Sequence, residues 1–110
     1  MKKLALVMMA CFASSCFASS INTTKITRVL VGPGVGKNVM LTISPRPTNL
    51  PDCQTNQGYN YVFDGTTEVG KMTLGAVLTA YAAKSNVWLG GTGSCSLYNT
   101  IENLKHIVIK

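Results

Sequence analysis

Apolar residues recur with a period of two in the first half of the chain, which is typical of β-strands. Residues 26–31 are rich in β-branched and apolar side chains, and Val39, Leu41 and Ile43 occupy alternate positions further on. Between these two runs, residues 32–38 read GPGVGKN. Glycine and proline between two predicted strands favour a hairpin connection.

The same GPGVGKN stretch invites comparison with a phosphate-binding loop, but its spacing differs. Such a loop has four residues between its first glycine and the Gly-Lys pair, followed by Ser or Thr and then a helix. Here Gly32 and Gly36 are separated by three residues, and Lys37 is followed by Asn38 and a strand pattern. Because no helix N-terminus is predicted there to receive a phosphate, we expect a turn that binds no nucleotide.

The middle of the chain changes from an irregular loop to a helix. Residues 44–58 carry three prolines and several Asn and Gln residues, which predicts a long loop, and residues 59–63 form a third strand. The apolar spacing then becomes that of one helix face, which we expect to cover the sheet and to end near residue 84. The predicted apolar face consists of Leu74, Val77, Leu78 and Tyr81, and the candidate N-terminal caps are Thr66 and Thr67.

Two further strands complete the predicted order of elements. Residues 87–89 and 104–109 are the fourth and fifth strands, with a glycine-rich turn after the fourth. The order β-β-β-α-β-β is that of an OB-type barrel, in which a helix lies between the third and fourth of five strands. We therefore predict a mainly β protein with one helix, an OB-like five-stranded barrel. An open α+β sheet with the helix packed on its face is the alternative.

The first 18 residues have the pattern of a secretory signal peptide. Two lysines precede a short apolar run, and the small residues that follow suit a signal peptidase that cuts after Ala18. We expect a secreted or periplasmic protein in which residues 1–18 are removed and residues 19–110 form a single domain. Lipidation of Cys11 or Cys16 is the alternative, although neither has the leucine usually found three positions upstream.

Export also decides the chemistry of the cysteines. Of the four cysteines, Cys53 and Cys95 remain after cleavage, and in an oxidising compartment such a pair most simply forms one disulfide. The bond would close 42 residues of chain, which is worth about 4 kcal/mol in the chain-entropy model. Two buried free thiols are the alternative.

Charge and side-chain chemistry argue against nucleic acid and against catalysis. Removal of Lys2 and Lys3 lowers the formal net charge from +6 to +4, and the remaining basic residues form no run. His106 is the single histidine, and no sequence feature supplies the nucleophile and orienting acid that a general base needs. We therefore expect no enzyme, no metal site, no cofactor and no nucleic-acid partner.

The aromatic residues offer a better indication of function. Tyr59, Tyr61 and Phe63 alternate along the third strand, and Trp88 lies on the fourth. Amphipathic rings can stack on sugars, although core packing is the alternative for each and is favoured for Phe63. Since long tethered loops often carry function, the loop's Arg46 joins this group. The candidate ligand-binding residues are Arg46, Tyr59, Tyr61 and Trp88.

The segment LGAVLTAYAAKSNVWLGGTGSC, residues 74–95, resembles a pattern found in short exported bacterial proteins, many without an assigned function. An apolar helix ending in Ala-Tyr-Ala leads through a short turn to a Val-x-Leu strand, a glycine-rich turn and a cysteine. The order of elements is similar to that of the B subunits of AB5 toxins, notably the subtilase cytotoxin type. This resemblance implies an OB-fold, a pentameric homo-oligomer and binding to a cell-surface glycan.

The predicted helix also carries small residues opposite its apolar face. Gly75, Thr79 and Ala83 recur every four residues and share one stripe. Glycine costs about 1 kcal/mol relative to alanine inside a helix, so its presence suggests close approach of another backbone. We expect a contact between subunits there, and a helix packed on a loop of its own chain is the alternative.

The sequence as a whole predicts an exported, disulfide-bonded binding or assembly module. In its sharper form, this is a glycan-binding subunit similar to a toxin B subunit. The alternative is a periplasmic protein with a structural or stress-related role and no glycan binding, and a small secreted enzyme is the third possibility.

Overall fold

The computed structural model of the protein describes residues 18–110, so Cys11, Cys16 and nearly all of the predicted signal peptide lie outside it. Five strands and one α-helix follow the predicted order β-β-β-α-β-β. The strands are β1 (Ser20–Leu30), β2 (Asn38–Ser44), β3 (Tyr61–Asp64), β4 (Val87–Gly91) and β5 (Glu102–Ile109), and the helix is α1 (Glu68–Ala83). The prediction of a mainly β fold with one helix is confirmed.

The strands form one sheet that closes in a ring. Their order is β1-β2-β3-β5-β4, and β4 pairs back onto β1. β3 and β5 run parallel, whereas the other neighbouring strands of the described chain run antiparallel. The ring replaces the open sheet that was the alternative prediction.

β1 begins at Ser20, earlier than the apolar run that starts at Ile26 predicts. Its first half pairs with β4, where Thr24 lies opposite Val87, and its second half pairs with β2. Thr24 points into the buried side of the sheet, and its hydroxyl donates to the carbonyl of Pro45 at 2.7 Å. A satisfied polar residue therefore occupies a core position that the hydrophobic pattern alone does not reveal.

The interior of the ring is filled by side chains from the sheet and from α1. The helix contributes Val77 and Ala80, and Leu74 packs against the same cluster. The buried members of this core are Ile26, Val39, Leu41, Ile43, Tyr61, Phe63, Val77, Ala80, Val87 and Leu89.

The helix begins where a threonine caps it. The Thr67 hydroxyl accepts a hydrogen bond from the amide of Gly70 at 2.8 Å, so Thr67 is the cap of the two candidates. At the other end, Lys84 adopts a left-handed conformation, and the ammonium of Lys25 donates to its carbonyl at 2.8 Å. Within residues 18–110, no helix combines the length and the apolar content needed to cross a bilayer.

The core-facing side of α1 differs in part from the predicted apolar face. Val77 is buried as predicted, whereas Leu78 and Tyr81 are exposed. Gly70 and Ala80 take the buried positions instead. A methyl group at position 70 would lie 1.8 Å from the carbonyl oxygen of Asp64, so the first turn of the helix packs directly on the end of β3. Small residues allow this close approach, and the larger Leu78 and Tyr81 lie away from the core.

The GPGVGKN stretch joins β1 and β2 as the predicted hairpin connection. Pro33–Val35 form one 3-10 turn, and the amide of Gly36 donates to the carbonyl of Pro33 at 3.2 Å. Gly36 has a φ of 62°, which favours glycine. The connection leads into a strand, as its spacing predicts.

The predicted disulfide between Cys53 and Cys95 is present, with 6.0 Å between the Cα atoms. It joins the long loop after β2 to the segment that precedes β5. The amides of Thr55 and Asn56 both donate to the carbonyl of Thr100, which strengthens this connection. Beneath the two segments lies a second apolar cluster on the outside of the ring, with Met40, Val62 and Ile101 buried and Leu30, Val35, Tyr59 and Leu97 packed around them.

Candidate functional site

The four residues predicted to bind a ligand do not lie on one surface. Tyr61 is completely buried inside the ring, so the structure places it in the core rather than on a ligand face. Trp88 lies on β4, which pairs with β1 and β5 but not with the strands next to the long loop. Arg46 and Tyr59 belong to the long loop itself and remain the part of the predicted face that the fold brings together.

A turn at the end of the long loop positions both residues. The side-chain oxygen of Asn56 accepts hydrogen bonds from the amides of Gly58 and Tyr59, each at 2.8 Å. The guanidinium of Arg46 donates to the carbonyl of Gln57 within the same turn. The Thr42 hydroxyl of β2 donates to the carbonyl of Gly58 at 2.6 Å, which fixes the turn to the sheet.

Arg28 of β1 completes this surface. Its guanidinium carbon lies 5.8 Å from the centroid of the Tyr59 ring, a cation–π distance. Arg28 is brought there by register, since it lies opposite Thr42 in the β1–β2 pair. We call the surface formed by Arg28, Arg46 and Tyr59 the arginine face. The sequence pattern did not indicate Arg28, because its neighbour is set by strand pairing.

The arginine face is positively charged, and no carboxylate of residues 18–110 neutralises it. Within residues 18–110, Lys37 and Asp64 form an ion pair at 3.7 Å, whereas neither Arg28 nor Arg46 lies within ion-pair distance of a carboxylate. Arginine presents planar donors that match the oxygens of a carboxylate, sulfate or phosphate. The surface is therefore suited to an anionic group that is attached to an apolar or ring-shaped body.

Trp88 belongs to a separate surface on β4 and β5. Its indole nitrogen donates to the Ser20 hydroxyl at 3.2 Å, and its ring meets that of His106 edge-on, with centroids 4.7 Å apart. A methyl group at Gly90 would lie 2.5 Å from the His106 ring, so the absence of a side chain at position 90 makes room for the imidazole. Both rings are fixed by packing, and Trp88 remains partly exposed.

Two grooves in residues 18–110 lie away from the arginine face. A groove of about 450 Å³ runs between β1 and the end of α1 and is lined by Lys25, Tyr81 and Lys84 among others. A second groove of about 350 Å³ lies between the start of α1 and the segment that leads into β5. Neither groove is lined by Arg28, Arg46 or Tyr59, so the arginine face is a separate surface.

A buried polar cluster lies on the other side of the long loop. Glu102 is 0% exposed, and its carboxylate accepts hydrogen bonds from the Ser19 amide at 3.1 Å, the Ser19 hydroxyl at 2.5 Å and the Gly93 amide at 2.9 Å. The side-chain oxygen of Gln54 accepts the Glu102 amide at 2.6 Å. This cluster couples the start of the described chain, the long loop and β5. It is closed to solvent, so we assign it a structural role.

The hydroxyl of Tyr61 ends this cluster. It lies 2.6 Å from the Ser19 hydroxyl, whose one proton is directed to Glu102, so Tyr61 acts as the donor to Ser19. Burial raises the pKa of Tyr61 to about 12, and the nearby Glu102 acts in the same direction. Tyr61 therefore stays protonated and its hydrogen bond persists at ordinary pH.

The turn between β3 and α1 begins at Asp64, which pairs with Lys37. Hydrogen bonds from the hydroxyl and amide of Thr66, at 2.6 and 2.9 Å, hold the pKa of Asp64 below its ordinary value, and Lys37 acts in the same direction. Within residues 18–110, no group of three or more His, Cys, Asp or Glu side chains is arranged as a metal site. The hydrogen bonds of Asp64 to Thr66 fix the turn that leads into α1.

The small-residue stripe of α1 lies on the surface. Gly75, Thr79 and Ala83 are exposed, and apart from the adjoining residues of α1 no atom of residues 18–110 lies within 4 Å of a methyl group built at position 75. The alternative of a helix packed on a loop of its own chain is therefore not observed within residues 18–110. Val69 and Met72 lie on the same outer side and are 70% and 73% exposed.

Comparisons with known proteins give no match. Neither a protein-family model nor a curated protein nor a solved structure matches this chain. The resemblance to AB5 toxin B subunits is thus neither supported nor refuted by them, and the function must be argued from the molecule's own surfaces.

Proposed function

We propose that the protein is an exported, disulfide-bonded binding module that holds an acidic glycan on its arginine face. The observation that carries this proposal is the placement of Arg28, Arg46 and Tyr59 on one ordered surface whose charge is not neutralised by a described carboxylate. The net charge of +4 that remains after removal of the predicted leader would also attract anionic surfaces.

The recognition would divide between charge and ring contacts. The two guanidinium groups offer donors to a carboxylate or sulfate of the sugar. The exposed part of Tyr59, which Arg28 holds in place, offers an apolar contact for the sugar ring. The Asn56 turn and the Cys53–Cys95 bond order the loop before the ligand arrives, which lowers the entropic cost of binding.

The architecture supports an OB-type interpretation of this site. The ring order β1-β2-β3-β5-β4, with α1 between β3 and β4, has the element order of an OB-fold. OB-folds bind oligosaccharides and oligonucleotides on the face of their second and third strands. The arginine face lies next to β2, through Thr42, and next to the loop that enters β3.

An array of sialylated, sulfated and neutral oligosaccharides, probed with the purified exported protein, tests the proposal. We expect binding to acidic glycans and a loss of about tenfold or more in affinity when Arg28→Gln and Arg46→Gln are combined. Lys71→Gln combined with Lys105→Gln is the control, because it removes two exposed positive charges from other surfaces. Equal binding by the two double variants, or no binding by the parent protein, would refute the proposed ligand face.

A second proposed role is assembly, which the exposed side of α1 favours. Val69 and Met72 are 70% and 73% exposed on this side, and the small residues beside them allow close approach. We propose that copies of the chain associate through this side, as a pentamer if the likeness to toxin B subunits holds. A periplasmic structural or stress-related protein without glycan binding would show this assembly and fail on the array.

A further inference from the structure

Glu102 is a fully buried carboxylate, and within residues 18–110 no cationic side chain lies within ion-pair distance of it. It is 0% exposed, and its hydrogen-bond donors in residues 18–110 are a backbone amide of Gly93 and the amide and hydroxyl of Ser19. The ion pair of residues 18–110 lies elsewhere, between Lys37 and Asp64. Burial of a charge without a counter-ion is costly, so the described chain leaves this carboxylate unbalanced.

Ser19, which supplies two of those donors, is the residue that follows the proposed cleavage site. It is 1% exposed, whereas Ala18 is exposed. Its carbonyl accepts the Gly91 amide at 2.9 Å, which fixes the main chain next to the carboxylate. In the intact precursor its nitrogen is an amide with one proton, whereas in a chain that begins at Ser19 it is an α-ammonium.

We propose that cleavage between Ala18 and Ser19 creates the missing counter-ion, and that the new α-ammonium of Ser19 forms a buried ion pair with Glu102. The inference rests on the export proposed above. It implies that the stability of the fold depends on cleavage between Ala18 and Ser19.

The chemistry needs water and the signal peptidase of the exporting cell. Water adds across the Ala18–Ser19 peptide bond, with its hydroxyl going to the Ala18 carbonyl carbon and its hydrogen to the Ser19 nitrogen. At neutral pH the new carboxyl of Ala18 releases a proton and the new amine takes one up. The ammonium then stands where the Ser19 nitrogen already lies, 3.1 Å from Glu102.

The position of the cut matters because the charged nitrogen must lie next to the Glu102 carboxylate. One additional residue would move the charged nitrogen by about 3.8 Å along the chain, out of the buried cluster. The Ser19 nitrogen would then be an amide again, and the carboxylate would lose its counter-ion. A chain that begins at any residue other than Ser19 should therefore fold less stably.

The ion pair also predicts a specific pH dependence. The titratable groups that face the Ser19 nitrogen are Glu102 of β5 and Tyr61 of β3, while Gln54 and Gly93 are neutral and His106 lies further along β5 against Gly90. An α-amino group ordinarily titrates near pH 8; burial lowers its pKa and a carboxylate in direct contact raises it, and the proposed ion pair requires that the contact with Glu102 outweighs burial. The stabilisation is then present below about pH 8 and is lost as the pH rises through the folded-state pKa.

The experiment compares two exported forms of the full chain. One is the natural sequence, and the other has one alanine inserted between Ala18 and Ser19, so that cleavage after Ala18 leaves the added alanine before Ser19. Intact mass of each purified protein gives its N-terminus, and urea unfolding is measured at pH 7 and at pH 9.8. We expect the natural form to begin at Ser19 and the inserted form to have an unfolding constant about tenfold larger at pH 7.

The difference between the two forms should shrink at pH 9.8, and ionisation of Tyr61 does not enter this difference because both forms carry the same tyrosine. Glu102→Gln, if it folds, should abolish the difference between the two N-termini at both pH values. The comparison of the natural sequence with the alanine insertion stands without this variant. A mature N-terminus other than Ser19 would overturn the cleavage site. Equal stability of the two forms at pH 7 would overturn the ion pair, and neither result bears on glycan binding, which the array reads separately.

Discussion

Gly91 lies directly against the carboxylate of Glu102. A methyl group at position 91 would come within 2.1 Å of one carboxylate oxygen and 2.2 Å of the carboxyl carbon. The pairing of β4 with β5 shifts its register between Gly90 and Gly91, next to this contact. The buried charge therefore depends on an irregularity in β4 as well as on its hydrogen bonds.

Gly91→Ala should lower the free energy of unfolding by about 2–3 kcal/mol, because the methyl group must displace a hydrogen-bonded carboxylate. Urea unfolding of the purified protein measures this change. Gly34→Ala is the control, since no described atom other than those of its chain neighbours lies within 4 Å of a methyl group there, and Gly34 does not have a positive φ. We expect the control to change stability by less than about 0.5 kcal/mol. Equal effects of the two changes would contradict the contact.

The disulfide should make a large contribution to stability in so small a domain. It closes 42 residues, so replacing both Cys53 and Cys95 by serine should cost about 4 kcal/mol. Neither cysteine belongs to the core inside the ring, so the sheet should keep its circular dichroism signal while the urea midpoint falls. Peptide mapping without reductant should recover the linked pair. Two freely alkylated cysteines, or an unchanged midpoint, would contradict this role.

The elements that the sequence predicted well are those with a regular local pattern. β2 shows a clear period of two through Val39, Leu41 and Ile43, and α1 shows a helical period, so both were located from short-range spacing. The start of β1 was missed because the residues before Ile26 are mostly polar, and Thr24 is buried through a hydrogen bond rather than through apolarity.

The aromatic residues show where a local pattern fails. Tyr59 and Tyr61 are two positions apart and would lie on one face of a regular strand, yet Tyr61 is in the core and Tyr59 packs on the outer cluster. Asn60 lies between them, and its side-chain oxygen accepts the Ile43 amide at 2.9 Å. β3 begins after this residue, so the regular alternation does not extend back to Tyr59.

Two residues that the sequence did not indicate, Arg28 of the arginine face and Glu102 of the buried polar cluster, reach their neighbours through long-range contacts. Arg28 reaches Tyr59 through the register of β1 with β2, and Glu102 reaches Ser19 across 83 positions of sequence. Neither neighbour can be found from local spacing, because each depends on how the ring closes. The disulfide was predictable for the opposite reason, since two cysteines allow one pairing.

Tyr61→Phe should change the stability of the protein at alkaline pH. Burial raises the pKa of Tyr61 from 10.0 to about 12, so above pH 10 the unfolded chain releases a proton that the folded chain retains. The stability of the parent protein should therefore fall as the pH rises from 10 towards 12, and this part of the loss should be absent in the variant.

At pH 7 the same variant should cost about 1–2 kcal/mol, because the Ser19 hydroxyl loses its donor. Urea unfolding between pH 7 and pH 11.5 measures both effects. Tyr98→Phe is the control because the Tyr98 ring is exposed on the segment before β5. If the parent and Tyr61→Phe curves stay parallel above pH 10, then Tyr61 does not hold its proton through burial.

Gly75→Leu should separate assembly from folding. Apart from the adjoining residues of α1, nothing in residues 18–110 lies within 4 Å of a methyl group at this position, so a monomer can accept the larger side chain. Leucine is also a better helix former than glycine by about 0.8 kcal/mol or less, so the folded monomer should be no less stable than the parent. If copies of the chain meet through this side of α1, then the same side chain should block their close approach.

Light scattering of the parent protein should therefore give an oligomer, and Gly75→Leu should give a monomer with an unchanged circular dichroism spectrum. Gly34→Leu is the matched control, because it enlarges an open glycine away from α1 and should leave the oligomer intact. A parent protein that is monomeric at high concentration would remove the assembly proposal and most of the likeness to toxin B subunits. The exposed Val69 and Met72 would then need another partner, since the described chain does not cover them.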